Sequence, residues 1–339
     1  MPEESILSAS RIGCYESCSW KFWSTYKLKL PRTKNHGNVR GNACHLALEC
    51  LLHPRRSKYV AKLKKTKTIT SIPSIAKLVS DYLSKNGFYN EENFELCDKW
   101  ICFALTLDFK GGKGAKIDKP EEEFFLDTTK NEEGPKYKLT GFIDKPIQYP
   151  KEGKLKIVDY KTNKDKYTES EIESNTQAMC YILAAKQIWP DLKDVSVEFQ
   201  FLKFDEDPFI TVKFDQDQLE GYEYYLEWVF NKTNNFTEED AVADMAANKP
   251  FPKDGSFSGP LSCGFAEYPG HLKKDGSPRW HCEHKFPYDY YALVNKKGDV
   301  LVTSKDKNDL IPEKNQKVVK KKYQGCPAHC KKDEDDFPI

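Results

Sequence analysis

The chain of 339 residues is 39% hydrophobic and carries a formal net charge of +1. That is enough apolar material for a real core and too little net charge for bulk electrostatics to select a polyanion, so any basic surface must come from how the charges are arranged. No apolar run approaches the length of a membrane span, and the opening MPEESILSAS has neither a basic leader nor an apolar signal core; the expectation is a soluble, cytoplasmic protein with no membrane partner.

From Ser8 to Leu30 the aromatic-rich stretch SASRIGCYESCSWKFWSTYKLKL predicts a helix lying on a larger body. A second helix is predicted from about Arg40 to His53. The run HPRRSKYVAKLKKTKT then reads as a basic loop, and more helices follow between Ser74 and Asp108, making a helical insertion over about 54–118 that KGGKGAK closes. From Glu122 the pattern turns to short strands, EFFLDT, KYKLTGFIDKPIQY and KLKIVDYKT, separated by the turn signals NEEGP and PKEG. A helix from about Glu169 to Ile188 precedes the strands VSVEFQFLKF and FITVKF, and helix returns from about Gln216 to Asn231 and in EEDAVADMAAN. This order argues for an α/β or α+β sheet with flanking helices. Residues 1–248 are expected to form one domain. Residues 249–339, rich in Pro, Gly, Lys, Cys and His, are expected to form a separate loop-rich region stapled by a metal.

In IVDYKT the strand period of two puts Asp159 and Lys161 on one face and Tyr160 on the other. LTGFIDKP places Asp144 near the end of a neighbouring strand, and a hairpin-like connection would bring it beside Asp159. Two converging carboxylates suit Mg²⁺, an ion that polarises a phosphoryl oxygen and generates hydroxide from bound water. Beside two carboxylates Lys161 should stay protonated, which suits it to orient water and stabilise developing negative charge rather than to act as a base. Taken alone, Asp-X-Lys also fits an exposed cross-strand ion pair. The acidic run Glu121 to Glu123 reads as the solvated start of a strand.

The motifs SASRIGCYESCSWKFW, GNACHLALE, LTGFIDKP, IVDYKT and QAMCY, in that order, cover most of residues 8 to 204. Together they resemble the PD-(D/E)XK nuclease superfamily, and specifically its RecB-like and Cas4-like exonuclease branch. The resemblance implies a restriction-endonuclease-like core with a central mixed sheet flanked by helices. It also implies DNA as partner and a Mg²⁺- or Mn²⁺-dependent deoxyribonuclease, most readily an exonuclease of recombination, repair, phage DNA processing or CRISPR adaptation. Such an enzyme would act in a phage or prokaryotic host cytoplasm with a recombination, helicase or annealing protein. Position by position, His45 is implied as a metal ligand, Asp144 and Asp159 as metal-binding carboxylates, Tyr160 as a backbone-carbonyl ligand and Lys161 as the catalytic lysine. Gln177 and Tyr181 match the family's QxxxY element near the DNA backbone; four residues apart, they share one helix face. His45 and Glu49 are likewise spaced on one helix, and Glu49 fits a surface or supporting role equally well. Glu121, Glu122 and Glu123 sit where the resembled family often has a strand-borne Glu, though three in a row are more often the solvated start of a strand.

Eleven cysteines in a reducing compartment are buried small hydrophobes or metal ligands rather than a disulfide framework. Cys44, Cys50, Cys97, Cys102 and Cys180 sit in apolar helical contexts and read as core residues. Cys263, Cys282, Cys326 and Cys330 are the candidate thiolate ligands of a [4Fe-4S] cluster or a Zn²⁺. Iron–sulfur members of the resembled branch pair a residue placed like Cys18 with three closely spaced C-terminal cysteines, and this chain departs from them in that only Cys326 and Cys330 are near neighbours. The competing functional reading is a non-cleaving nucleic-acid-binding module with a nuclease-like fold and a cysteine-bound metal.

Overall fold

Residues 5–117, 119–248, 263 and 282–330 are described in the computed structural model. In chain order the elements are α1 (Ala9–Ser17), α2 (Ser19–Phe22), α3 (His36–Leu52), α4 (Ser57–Thr66), α5 (Pro73–Lys85), α6 (Glu91–Thr106), β1 (Glu122–Asp127), β2 (Lys138–Ile143), β3 (Lys145–Tyr149) and β4 (Lys154–Lys161). There follow α7 (Glu169–Glu173), α8 (Thr176–Ile188), β5 (Asp194–Phe201), β6 (Phe209–Val212), α9 (Gln216–Asn234), α10 (Glu238–Ala243), β7 (Tyr288–Val294), β8 (Val300–Ser304) and β9 (Lys317–Tyr323). Among the described residues no helix is long and apolar enough to cross a membrane.

The chain divides into a first unit of residues 1–9 and 34–231 and a second of residues 10–33 and 232–339. This division differs from the boundary read at residue 248, because the aromatic N-terminal segment packs in the second unit. There Trp20, Phe22 and Leu30 share a core with Phe236, Met245, Tyr290 and Tyr323. Pairing over such sequence distance leaves no local composition signal.

In the first unit, β3, β4, β5 and β6 form a mixed sheet in that order, with β3/β4 and β5/β6 antiparallel and β4/β5 parallel. The parallel pair needs a crossover, which α7 and α8 supply. Ile157, Val158, Asp159 and Tyr160 are all buried, as expected for a strand covered on both faces. One face meets α3, α5 and α6 through Val158, Tyr160 and Ile147, packed with Ala43, Ala47, Val79, Trp100 and Ala104. The predicted strand over residues 136–149 is two strands: β2 pairs with β1 and β3 with β4, so the chain changes sheets at Asp144. Gly141 of β2 lies under the Phe124 ring, where a Cβ would come within 2.6 Å of ring carbon.

The segment read as a basic loop contains α4, whose Val60 and Leu63 are buried, three residues apart on one face, while its lysines stay in water. The helix predicted over Glu169 to Ile188 is broken: Thr168 caps α7 through a capping box, and Asn175 accepts from the Ala178 amide to start α8. The N-terminal stretch is interrupted too, at an extended Cys18. In the second unit, residues 288–323 fold into a three-stranded sheet of order β8-β7-β9, so the described part of the region expected to be loop-rich has its own strands, which share a core with Trp20, Phe22 and Phe236. Short strands and a lysine-rich β9 hide that pattern.

Candidate active site

The β3/β4 hairpin sets Lys145 opposite Val158, so Asp144, one residue earlier, reaches the level of Asp159. Its carboxylate accepts from the Tyr160 amide at 3.3 Å. From α3, His45 presents Nδ1 to Asp144 Oδ2 at 3.0 Å and Nε2 to the Tyr160 carbonyl at 2.9 Å. Both ring nitrogens thus face acceptors. Burial alone would lower the His45 pKa, but the charge and hydrogen bond of Asp144, with Asp159 and Glu121 adding, lift it to about 9. Helix α3 comes this close to the sheet because residue 41 is glycine: a Cβ there would lie 3.0 Å from Thr162 Oγ1.

Asp159 is 1% exposed. Lys161 Nζ lies 2.7 Å from its Oδ1, and the same ammonium donates to Gln177 Oε1 at 2.6 Å. Gln177 Nε2 donates to the Tyr181 hydroxyl at 2.8 Å, which donates in turn to Asp159 Oδ2 at 3.1 Å. The four side chains close a ring between β4 and α8. Burial pushes the Asp159 carboxyl above its usual range, with Asp144 adding and Lys161 opposing. Burial would lower Lys161, but Asp159 outweighs it and holds the ammonium above its ordinary value. The carboxylate is therefore short of positive charge even with its lysine, and the lysine keeps its proton.

Two residues enter the site that the sequence reading left aside. Glu121 has φ of 52°, a left-handed conformation costly for a side chain with a Cβ, and its amide donates to the Asp144 carbonyl at 3.0 Å. That twist removes it from strand alternation and turns it inward, where burial first, then Asp144, raises its carboxyl to about 7, with His45 opposing. His45, Glu121 and Asp144 offer donor atoms that all lie within 4.8 Å of one another. A nitrogen and two hard oxygens, gathered where the carboxylates are under-compensated, fit a divalent cation. Tyr167 is the second addition: its ring packs edge-on against Phe199 and Phe201 at 5.1 and 5.4 Å, and Lys161 opposes the rise that burial gives its hydroxyl. Nothing in the loop sequence marks it. Glu49 faces this region closely enough to raise Glu121 further.

In the second unit, burial pushes the Cys282 and Cys326 thiols up to about 11, and each also feels the charges of Cys18 and Cys263. Cys263 Sγ lies 3.1 Å from His329 Nε2, and Cys330 Sγ donates to the Lys285 carbonyl at 3.2 Å. Cys330 is thus turned toward backbone, and Cys18 and Cys263 lie near enough to Cys282 and Cys326 to affect their thiols. Among the described residues no cysteine group has its donors as close together as the trio around His45. Cys44, Cys97 and Cys180 are buried, and Cys50 and Cys102 are half-buried against the first unit's core.

No curated protein matches the chain. Among solved structures it is similar to a candidate exonuclease from Eubacterium rectale, at 11% identity over 68% of this chain and 81% of that one, with a TM-score of 0.41. The family model of the PD-(D/E)XK nuclease superfamily matches residues 6–268. That span is more than half of the chain and contains the α3 histidine, the two strand-borne aspartates, the lysine and the α8 pair, and the chain accordingly belongs to the PD-(D/E)XK nuclease superfamily.

Proposed function

We propose that the chain is a Mg²⁺- or Mn²⁺-dependent deoxyribonuclease acting as an exonuclease, in the manner of the RecB-like and Cas4-like branch. The observation that carries this reading is the juxtaposition of the closed ring Asp159, Lys161, Gln177 and Tyr181 with the His45, Glu121 and Asp144 donors. Asp144, Asp159, His45 and the Tyr160 carbonyl would hold the ion, and Glu121 joins them. When bound, such an ion polarises a phosphoryl oxygen and lowers the pKa of its water. Lys161, kept protonated, stands where it stabilises the charge that develops on the phosphate. Gln177 fixes the direction of that ammonium, and Tyr181 fixes the Asp159 carboxylate. A non-cleaving module would have no use for an ammonium held among these carboxylates.

Because Gln177 and Tyr181 orient Lys161 and Asp159 and do not touch His45, Glu121 or Asp144, replacing both by Ala is expected to lower kcat by about tenfold or more and to impair turnover more than Mn²⁺ binding. Single-turnover cleavage and calorimetric titration measure the two. An equal loss in both would reduce the pair to support of the fold.

Substrate class is tested with end-labelled DNA and RNA of one sequence, as single strands and duplexes, beside a covalently closed circle. The expected result is degradation of linear DNA from an end, with the circle intact. Preferential RNA cleavage, or cutting of the circle, would overturn the deoxyribonuclease or the exonuclease assignment.

Cys18, Cys263, Cys282 and Cys326 are proposed, with Cys330 as the alternative fourth ligand, to bind an iron–sulfur cluster or Zn²⁺ that is structural and separate from the catalytic ion. The Cys282 and Cys326 thiols, pushed up by burial first and further by Cys18 and Cys263, are ones that a soft cation would relieve as thiolate ligands. Metal analysis of protein purified without oxygen is expected to find iron with sulfide or stoichiometric zinc, and Cys282→Ala is expected to lower the thermal midpoint before it alters cleavage. Well-folded protein with neither metal would return these cysteines to the role of small hydrophobes.

A further inference from the structure

The first unit contains a cleft of about 640 Å³, most of whose lining takes no part in the reaction proposed above. Its walls include Arg40, Lys164 and Lys203 and the first turn of α3, and it opens onto the active site, since His45, Tyr160 and Lys161 line it as well. No aspartate or glutamate is among its lining residues. In a chain with nearly equal acids and bases, so one-sided a wall is a feature of placement.

The cations are held in position. Arg40 and Lys203 both lie over the Trp100 ring, at 5.5 and 4.9 Å from its centroid. Arg40 Nη1 donates to Asn93 Oδ1 at 3.0 Å, while its Nε is buried with no hydrogen-bond partner. Lys203 is lowered by burial first and then by Arg40 and Lys164, a sign that the three charges crowd one another. Neither Lys164 nor Lys203 has a carboxylate partner among the described residues. The start of α3 adds to this through the positive end of its dipole: that turn holds no acidic residue, though Asn35 Oδ1 already meets the Asn38 amide at 2.9 Å. Like charges brought together in a partly dry cleft are stabilised when an anion joins them.

We infer that this cleft binds a phosphate group of the DNA strand next to the one being cut, with Arg40, Lys164 and Lys203 as its cationic contacts. The inference rests on the nuclease reading for its ligand and deepens it by naming residues that position the strand. The phosphate is an internal diester or a terminal monoester; both present the same chemistry to the cleft.

The test uses the full chain and a fluorescent single-stranded DNA oligonucleotide, with and without a 5′-phosphate, in EDTA so that nothing is cut. Affinity is measured across a salt series for wild type, for the exposed-loop variant Lys164→Gln, for Lys203→Gln and for the triple variant Arg40→Gln, Lys164→Gln, Lys203→Gln. Each cation removed is expected to lower the salt slope by about 1 and to weaken binding several-fold at low salt. Mn²⁺ titration of the same variants should match wild type, a readout that simple damage to the fold would not spare. Equal losses with both oligonucleotides would identify an internal diester, and losses confined to the phosphorylated one a terminal phosphate. Unchanged affinity and slope in the triple variant, or parallel loss of DNA and Mn²⁺ binding, would overturn the inference. Because binding is read without cleavage, a wild-type chain that binds in this way but cuts nothing would sink the nuclease reading and leave the cleft standing.

Discussion

Replacing Asp159 or Lys161 is expected to cut metal-dependent DNA cleavage by on the order of 10²- to 10³-fold or more. Lys161 is the cation nearest the buried carboxylate, at 2.7 Å, and the position from which it meets Asp159 is also the one from which it can meet a phosphate. The two side chains are a buried pair, so deleting one leaves the other uncompensated, and Ala variants are expected to lose up to about 3 kcal/mol of stability as well. Asp159→Asn and Lys161→Met keep the volume and separate chemistry from packing. Circular dichroism would show that the fold is kept, and a single-turnover assay would show that the cleavage rate has collapsed. Near wild-type cleavage by folded Asn or Met variants would remove this pair from the reaction.

The second large effect concerns the ion. Asp144→Asn and His45→Ala are each expected to raise the Mn²⁺ concentration needed for half activity by about 10- to 100-fold. His45 holds a proton up to about pH 9 through Asp144, and a cation can use that nitrogen only after the proton leaves. Metal affinity should therefore rise with pH, by about tenfold per unit between 7 and 9, and more steeply below 7, where Glu121, raised to about 7, is also protonated. The same dependence should flatten between 7 and 9 in His45→Ala. Calorimetric titration with Mn²⁺ at several pH values checks both. Binding that is unchanged in both variants, or independent of pH, would place the ion elsewhere.

The arrangement of side chains near β4 was legible because it depends on local rules. A period of two puts Asp159 and Lys161 on one face, a hairpin brings Asp144 to their level, and a helical spacing of four aligns Gln177 with Tyr181. Glu121 was not legible, since its part follows from a left-handed backbone that strand alternation does not foresee. Tyr167 was hidden because a loop aromatic becomes informative only once Phe199 and Phe201 are known to lie beneath it. The change of sheet at Asp144 left no mark either, as one apolar run served two ladders. In α4, lysines around a narrow apolar face resemble a solvated loop when composition alone is read. The grouping of residues 10–33 with residues 232–339 rests on contacts across more than 200 positions, beyond any sequence window.

On the proposed reading, these side chains hydrolyse DNA with a divalent ion. The most direct measurement is release of label from linear DNA by the purified full chain in Mg²⁺, in Mn²⁺ and in EDTA, with Lys161→Met run beside it. The expected result is release in Mg²⁺ or Mn²⁺, none in EDTA, and at least about 10²-fold slower release by the variant. Release that persists in EDTA, or that Lys161→Met matches, would contradict it.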